Sequence, residues 1–313
     1  MTRLAAALTI LLAGCSLAAA DTWPSRPVTL VVPLAAGGGS DGLIRVVTPR
    51  LSEILGQSVI VENVGGAGGM IGAARVAKAP PDGYQMLLGT SGTQATNQSI
   101  YAKPLYDAAT DFTPVGLIFE VPQVLLVKKD LPVNNLKEFT AYAKANQGTM
   151  QFGSSGAGGT GHLGCLLLNT RLGIDVTHVP YRGGGPAMQD LVAGRTDYQC
   201  ALANLAMPQI EGKNVKAIAV LTPERSPLMP NIPALGEQGL PGITIELLDA
   251  AGTVLKSIKT DPIGNYRFTG LDLGNYTVRE KVPTDATTTS SPSSVPRLAT
   301  RSPTPLLMEK HSK

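Results

Sequence analysis

"RPVTLVVPLAAGGGSDGLIRVVTPRLSEILG", residues 26–56, decides the reading of the fold. The compact β-branched run Val28–Val32 reads as a buried strand that stops at Pro33 and a glycine loop. Beyond the loop, Leu43, Ile44, Val47, Leu51, Ile54 and Leu55 recur at helical spacing. Strand, glycine loop and helix then repeat. "SVIVENV" (58–64) is a second strand, residues 65–69 a second glycine loop, and "MIGAARVAKA" (70–79) a helix of small residues. "YQMLLGTSG" (84–92) is a third strand that ends in polar residues. Such alternation predicts an α/β sheet.

The pattern restarts at about residue 121. "QVLLVKK" (123–129) is a strand and "NNLKEFTAYAKANQG" (134–148) a capped amphipathic helix. "MQFGSSGAGGTGHLGCLLLNTRLG" (150–173) and "VTHVPYRGGGPAMQDLVAGRTDYQCA" (176–201) each supply a strand, a glycine loop and a helix, and "VKAIAVLT" (215–222) adds a last strand. Two α/β lobes are therefore expected, at 21–120 and 121–242. The grammar changes at about Gly242. Residues 243–282 read as four short strands with turns at 250–252, 262–265 and 272–275, a small antiparallel sandwich fragment. The Ser, Thr and Pro-rich tail at 283–313 is too polar to pack and is expected to be disordered.

A chain of 313 residues, 43% hydrophobic, can build two cores. Its formal net charge of +3 comes from scattered basic residues without aromatic interleaving, which argues against nucleic-acid binding. The N-terminus has a basic start at Arg3, an apolar stretch over 4–13 and small residues at Ala18, Ala19 and Ala20, the pattern of an export signal over residues 1–20. The apolar run is shorter than the roughly 20 residues of a membrane-spanning helix. A second reading of residues 12–15 is a lipobox, in which Cys15 would carry a lipid. Cys165 and Cys200 would then meet an oxidising compartment, either as a disulfide or as two buried thiols.

Gly37, Gly39 and Gly42 match G-x-G-x-x-G after a strand, with Glu62 twenty residues beyond. Gly156, Gly158 and Gly161 match the same pattern, and an exported protein has little access to a dinucleotide, so no cofactor is expected. What the pattern retains is physical. Glycines let the backbone approach a ligand, and helix N-termini offer N–H groups and partial positive charge to an anion. One such loop in each lobe would hold two ends of an acidic molecule. Asp41 is a helix cap, a partner for a ligand amine, or both. Ser91, Thr93 and Asn97 are neutral hydrogen-bonding groups after the third strand, His162 follows the second lobe's loop, and His178 lies on a strand. An enzyme reading finds few parts: "GSSGA" has Ala157 where a nucleophile elbow needs glycine, and H-E-x-x-H and C-x-x-C are absent from the sequence. Three histidines make a metal site improbable.

The segments "WPSRPVTLVVPLAAGGGSD", "VENVGGAGGMIGA", "DGYQMLLGTSGT", "GTGHL", "HVPYRGGGPAMQDLVAGRTDY" and "TPERSPLMPNIPALGEQGLPG" together resemble the tripartite tricarboxylate transporter substrate-binding proteins, also called the Bug family of periplasmic receptors. The resemblance covers about 21–242. It implies a type II-like two-lobe binding protein, without catalytic activity, that closes on a small organic acid (a dicarboxylate, tricarboxylate or acidic amino acid) and delivers it to a membrane permease. The family's ligand loops map onto Ala36, Gly37, Gly38, Gly39, Ser40 and Asp41; Thr90, Ser91, Gly92 and Thr93; Ser154, Gly156, Gly159, Thr160 and His162; and Tyr181, Arg182 and Gly183. Similar proteins often carry cysteines at the positions of Cys165 and Cys200, which implies a disulfide. From about 239 to 282, through "GLPGITIELLD", "TDPIGNYRFTGL" and "LGNYTVRE", the chain instead resembles part of a Cna-B or SdrD-B type surface-protein repeat. The family would continue with segments that return to the first lobe, so lobe I is expected to be incomplete and binding impaired. The competing expectation is a non-catalytic surface protein with vestigial lobes.

Overall fold

The structure is a computed structural model, and it describes residues 22–240, 244–248, 253–259 and 277–281. The expected export signal, Cys15 and the tail at 283–313 lie outside the described residues.

The chain packs as two compact units, neither continuous in sequence. Unit 1 holds the described residues up to Ile118, together with Ser154–His162 and Val179–Asp190. Unit 2 holds Phe119–Gly153, Leu163–His178 and the described residues from Leu191 onward. Sequence reading places one boundary near residue 120 because strand and helix periodicity is local. The two later glycine loops leave that order and pack in unit 1.

In unit 1, β1 (Val28–Val32) lies between β2 (Val59–Asn63) and β3 (Gln85–Leu87), both parallel to it. Val28, Leu30, Val31 and Val32 are buried, as a central parallel strand covered on both faces requires. α1 (Gly39–Leu55) runs from β1 to β2 and stops at Gly56, whose φ of 65° is the left-handed conformation that ends a helix. α2 (Met70–Ala77) buries Met70, Ala73 and Ala74, and its small residues bring it close to β1. Tyr106 joins that cluster and meets Phe112 edge to face at 5.4 Å. After β3 the chain forms a π-helical turn, Gly92–Thr96, that runs into the short α3 (Asn97–Ile100).

Unit 2 is built on a five-stranded sheet of β4 (Gln123–Lys128), β5 (Gln151–Ser154), β6 (Thr177–Pro180), β7 (Tyr198–Leu202) and β8 (Val215–Val220), in the order β6-β5-β7-β4-β8. β4 is antiparallel to both β7 and β8, whereas β5 and β7 are parallel. The helices between these strands in sequence are α4 (Leu136–Asn146), α5 (Thr160–Leu172), α6 (Gly184–Val192) and α7 (Ala203–Glu211), of which the start of α5 up to His162 and α6 up to Asp190 belong to unit 1. α4 begins at Asn135, whose side chain accepts the Glu138 N–H at 2.9 Å, while Glu138 reaches back to the Asn134 N–H at 2.7 Å. Its inner face carries Phe139, fully buried and edge to face with Tyr198 at 5.1 Å. The Tyr198 hydroxyl donates to Asn169 Oδ1 at 2.9 Å, which satisfies the polar end of a buried ring. A disulfide joins Cys165 on α5 to Cys200 on β7, with both residues buried in the same core.

Beyond residue 240 the described segments are β9 (Thr244–Leu248), β10 (Val254–Lys259) and β11 (Thr277–Lys281). β9 is central and pairs antiparallel with both others. The remaining expected strand, near 266–270, lies outside the described residues.

Candidate functional site

Unit 1 contains a cavity of about 740 Å³ where its glycine loops converge. It is lined by Gly65, Gly66, Ala67 and Gly68 from the loop after β2, Ile71 from α2, and Tyr101 from the end of α3. Gly156 and Ala157 come from the loop after β5, and Pro180, Tyr181, Arg182 and Pro186 from the loop around the start of α6.

Glycine is what permits this convergence. At Gly68, with φ +60°, an added Cβ would lie 2.1 Å from the Ala157 carbonyl oxygen, so a side chain fails there both on conformation and on space. At Gly65 a Cβ would lie 2.7 Å from the Arg182 carbonyl oxygen. The same close packing brings the loop after β1 to the loop before α6, where the Ala35 N–H donates to Arg182 O at 2.9 Å.

Among the described residues, the N–H groups of Gly65, Gly66, Ala67 and Gly68 meet no backbone or side-chain acceptor. A run of donors therefore borders the cavity beside the exposed Arg182 guanidinium, which is in no ion pair among the described residues. Backbone donors and a cation around a partly apolar space suit an organic anion. Among the described residues no helix is long and apolar enough to cross a membrane, and no group of three His, Cys, Asp or Glu side chains could hold a metal ion.

The sequence-predicted residues fall into two sets. Gly156, Tyr181 and Arg182 line the cavity. The others hold the loops that form it. Asp41 is buried in the first turn of α1 and accepts from the Gly37 N–H (2.9 Å), Arg45 Nε (3.0 Å) and Asn63 Nδ2 (2.9 Å). Burial pushes its carboxyl up, but the Arg45, Gly37 and Asn63 hydrogen bonds outweigh that and hold it below the ordinary value. Asp41 thus fixes the loop containing Ala36 and Gly37, with the buried Gly38, Gly39 and Ser40 behind it. Gly183 packs on Ala35, leaving no room for a side chain.

Thr90 and Thr93 cap each other. The Thr90 N–H donates to Thr93 Oγ1 at 2.9 Å and the Thr93 N–H to Thr90 Oγ1 at 3.2 Å, with Thr93 fully buried. Ser91 Oγ lies 3.2 Å from Thr160 Oγ1, and Gly92 packs on the Gly158–Gly159 backbone. Ser154 is buried and accepts the Gly156 N–H at 3.1 Å, while Gly159 donates to Gly156 O at 3.0 Å. His162 Nδ1 accepts the Gly158 N–H at 3.2 Å, and burial pushes its imidazole down, favouring the neutral form that can accept. His178 stacks on Phe152 at 4.8 Å in unit 2. Glu62, the acid of the dinucleotide pattern, is held by both terminal nitrogens of Arg75.

Sequence reading passed over residues 65–68, Ile71, Tyr101, Pro180 and Pro186 as site residues. "GGAGG" carries no acid, hydroxyl or cation, and the only signal was a glycine density equal to that of the other loops. Tyr101 is reached through its hydroxyl, which donates to Ala157 O at 2.9 Å. Burial pushes its pKa up, so it stays a donor at neutral pH.

A family model described as the tripartite tricarboxylate transporter family receptor matches residues 43–254. The chain belongs to this family. A curated relative from Agrobacterium vitis, the UPF0065 protein in the TAR-I ttuE-ttuC' intergenic region, is 46% identical over 222 residues, covering 71% of this chain and 64% of the relative. The chain thus spans somewhat less than two thirds of that relative's length. Among solved structures, Rhodopseudomonas palustris Rpa4515 with adipate superposes with a TM-score of 0.68 at 42% identity, covering 70% of this chain and 74% of that one. MatC from R. palustris with bound malate gives 0.68 at 40% identity, with the same coverage. The mixed α/β fold is that of the periplasmic binding proteins. A second model, described as SdrD B-like domain, matches residues 232–299 and overlaps the first over 232–254.

Proposed function

We propose that this receptor-family chain captures a small carboxylate in the unit 1 cavity and delivers it to the membrane permease of a tripartite tricarboxylate transporter. The observation that carries the reading is the run of backbone donors at 65–68 beside the unpaired Arg182. Two relatives at 40% identity or more hold malate and adipate, both dicarboxylates, and the cavity has room for acids of that size. The export-type N-terminus supports a periplasmic location, with lipidation at Cys15 as the alternative anchor. Binding and release need no bond making, so the reading assigns no catalytic residue.

A thermal melt with adipate, malate and the uncharged adipamide tests it. A ligand selective for the native state raises the transition by mass action, and at about a hundredfold excess over Kd the gain is about 2.7 kcal/mol. The expected result is a rise with one or both acids and none with the diamide. A cooperative transition that no small carboxylate moves would contradict the receptor function.

The SdrD B-like match and the antiparallel sheet of β9, β10 and β11 favour a second reading, a non-catalytic surface protein whose lobes are vestigial. Cell fractionation separates the two, because stable display on the cell surface belongs to the second alone.

A further inference from the structure

The polar stretch between β3 and residue 101 departs from regular α-helical geometry, and one set of its side chains reaches two different loops. Thr93, Asn97 and Tyr101 are spaced by four, so they share a helical face. The π-helical turn over Gly92–Thr96 precedes α3, and such turns inside helices frequently accompany functional sites. On that face, Asn97 is fully buried and its Nδ2 donates to Gly68 O at 3.3 Å. Tyr101 donates through its hydroxyl to Ala157 O at 2.9 Å.

The glycines opposite are cut to fit the same side chains. A Cβ at Gly69 would lie 2.7 Å from Thr93 Cγ2. One at Gly158 would lie 2.5 Å from Asn97 Oδ1 and 3.4 Å from the Tyr101 ring. Tyr106 then fixes the helical turn itself by donating to Thr93 O. The carbonyls that Asn97 and Tyr101 hold belong to Gly68 and Ala157, both of which line the cavity.

We infer that Asn97 and Tyr101 form a clip that pins the 65–69 loop to the 156–159 loop and so sets how tightly the cavity holds its ligand; this rests on the carboxylate-receptor reading for the ligand, but not for the clip. They are positioning residues. Asn97 is buried behind the loops, and the Tyr101 hydroxyl is engaged by Ala157 while the ring faces the cavity. Losing the clip leaves the loop backbones in place only part of the time, so donors aimed at the ligand are no longer preorganised.

Tyr101→Phe removes one hydroxyl and keeps the ring, and Asn97→Ser shortens the other arm. Amide hydrogen exchange on the exported chain without ligand is the first readout. In Tyr101→Phe, exchange should rise by about fivefold at the hydrogen-bonded amides of the two loops, Gly69 (to Gly66 O) in one and Gly158 and Gly159 in the other, while the core strand Val28–Val32 is unchanged, as expected for loss of one hydrogen bond governing a local opening. Adipate affinity should weaken by a similar factor, about fivefold, through faster dissociation at an unchanged association rate. Asn97→Ser should give the same paired response; if it fails to fold, Tyr101→Phe alone decides. Exchange at Gly69 that is unaltered by Tyr101→Phe overturns the clip. So does a loss of adipate affinity carried by the association rate with Gly69, Gly158 and Gly159 still protected. Wild-type protein that binds neither adipate nor malate overturns the receptor reading instead, and the exchange measurement still decides the clip.

Discussion

On the proposed carboxylate reading, Arg182 is the side chain on which ligand charge acts most directly. It is exposed and without an ion pair among the described residues, so Arg182→Ala should leave stability within about 0.5 kcal/mol of wild type. Its loss should weaken adipate binding by about tenfold at low salt, with the difference shrinking as ionic strength rises, which titration calorimetry at two salt concentrations would show. His162 gives a pH prediction. Burial lowers its pKa in the fold below 6.5, and a depressed folded value means the neutral form is the stabilising one. Its contribution is complete above pH 6.5 and is lost as pH falls through the lower folded value, when Nδ1 can no longer accept from Gly158. Wild type should therefore lose more thermal stability than His162→Gln between pH 7 and pH 5; equal losses would count against the assignment. Asp41 draws notice in the sequence as an acid in a glycine loop, and Arg182 and His162 enter as site residues through the family resemblance. The glycines at 65–68 were not, because a backbone N–H is the same in every residue and only the fold shows which ones stay unpaired.

Elements with regular periodicity were legible nearly to their ends: β1, α1, β2, α2, β4 and α4 stand where alternation, helical spacing and capping residues put them. α7 was not anticipated, since "ANLAMPQIE" follows β7 without a glycine loop and carries Pro208 inside it. The turn over 92–100 was read as a polar strand end, because its buried residues are Thr93 and Asn97 and its apolar periodicity is absent. The disulfide belongs to this scale, because it ties α5 to β7 across 35 residues of chain. Closing a loop of that length should contribute about 2–4 kcal/mol, by the chain-entropy account. Cys165→Ala with Cys200→Ala should lower chemical-denaturation stability by that amount. Adipate affinity of the still-folded protein should stay within about threefold, since the bond lies in the unit 2 core and the cavity in unit 1. A double variant that keeps wild-type stability would contradict the account.

For the whole molecule, the sequence placed the chain in the right fold class, but it could not see that unit 1 takes in Ser154–His162 and Val179–Asp190. Those loops are distant in sequence from Gly68 and Ala35, and nothing in local periodicity encodes contacts between them. Their arrival is what turns a glycine-rich βα turn into a cavity, so the site is a property of the folded unit more than of any single motif. The change of grammar near Gly242 was legible for the opposite reason, because strand length and turn spacing are local, and the overlap of the two family matches over 232–254 marks the same place. The measurement that tests the central claim most directly is a crystal structure of the protein grown with adipate. The account predicts a carboxylate of adipate within hydrogen-bonding distance of the 65–68 N–H groups, with Arg182 on the same ligand. Adipate bound elsewhere, or a 65–68 loop unoccupied at saturating adipate, would contradict it.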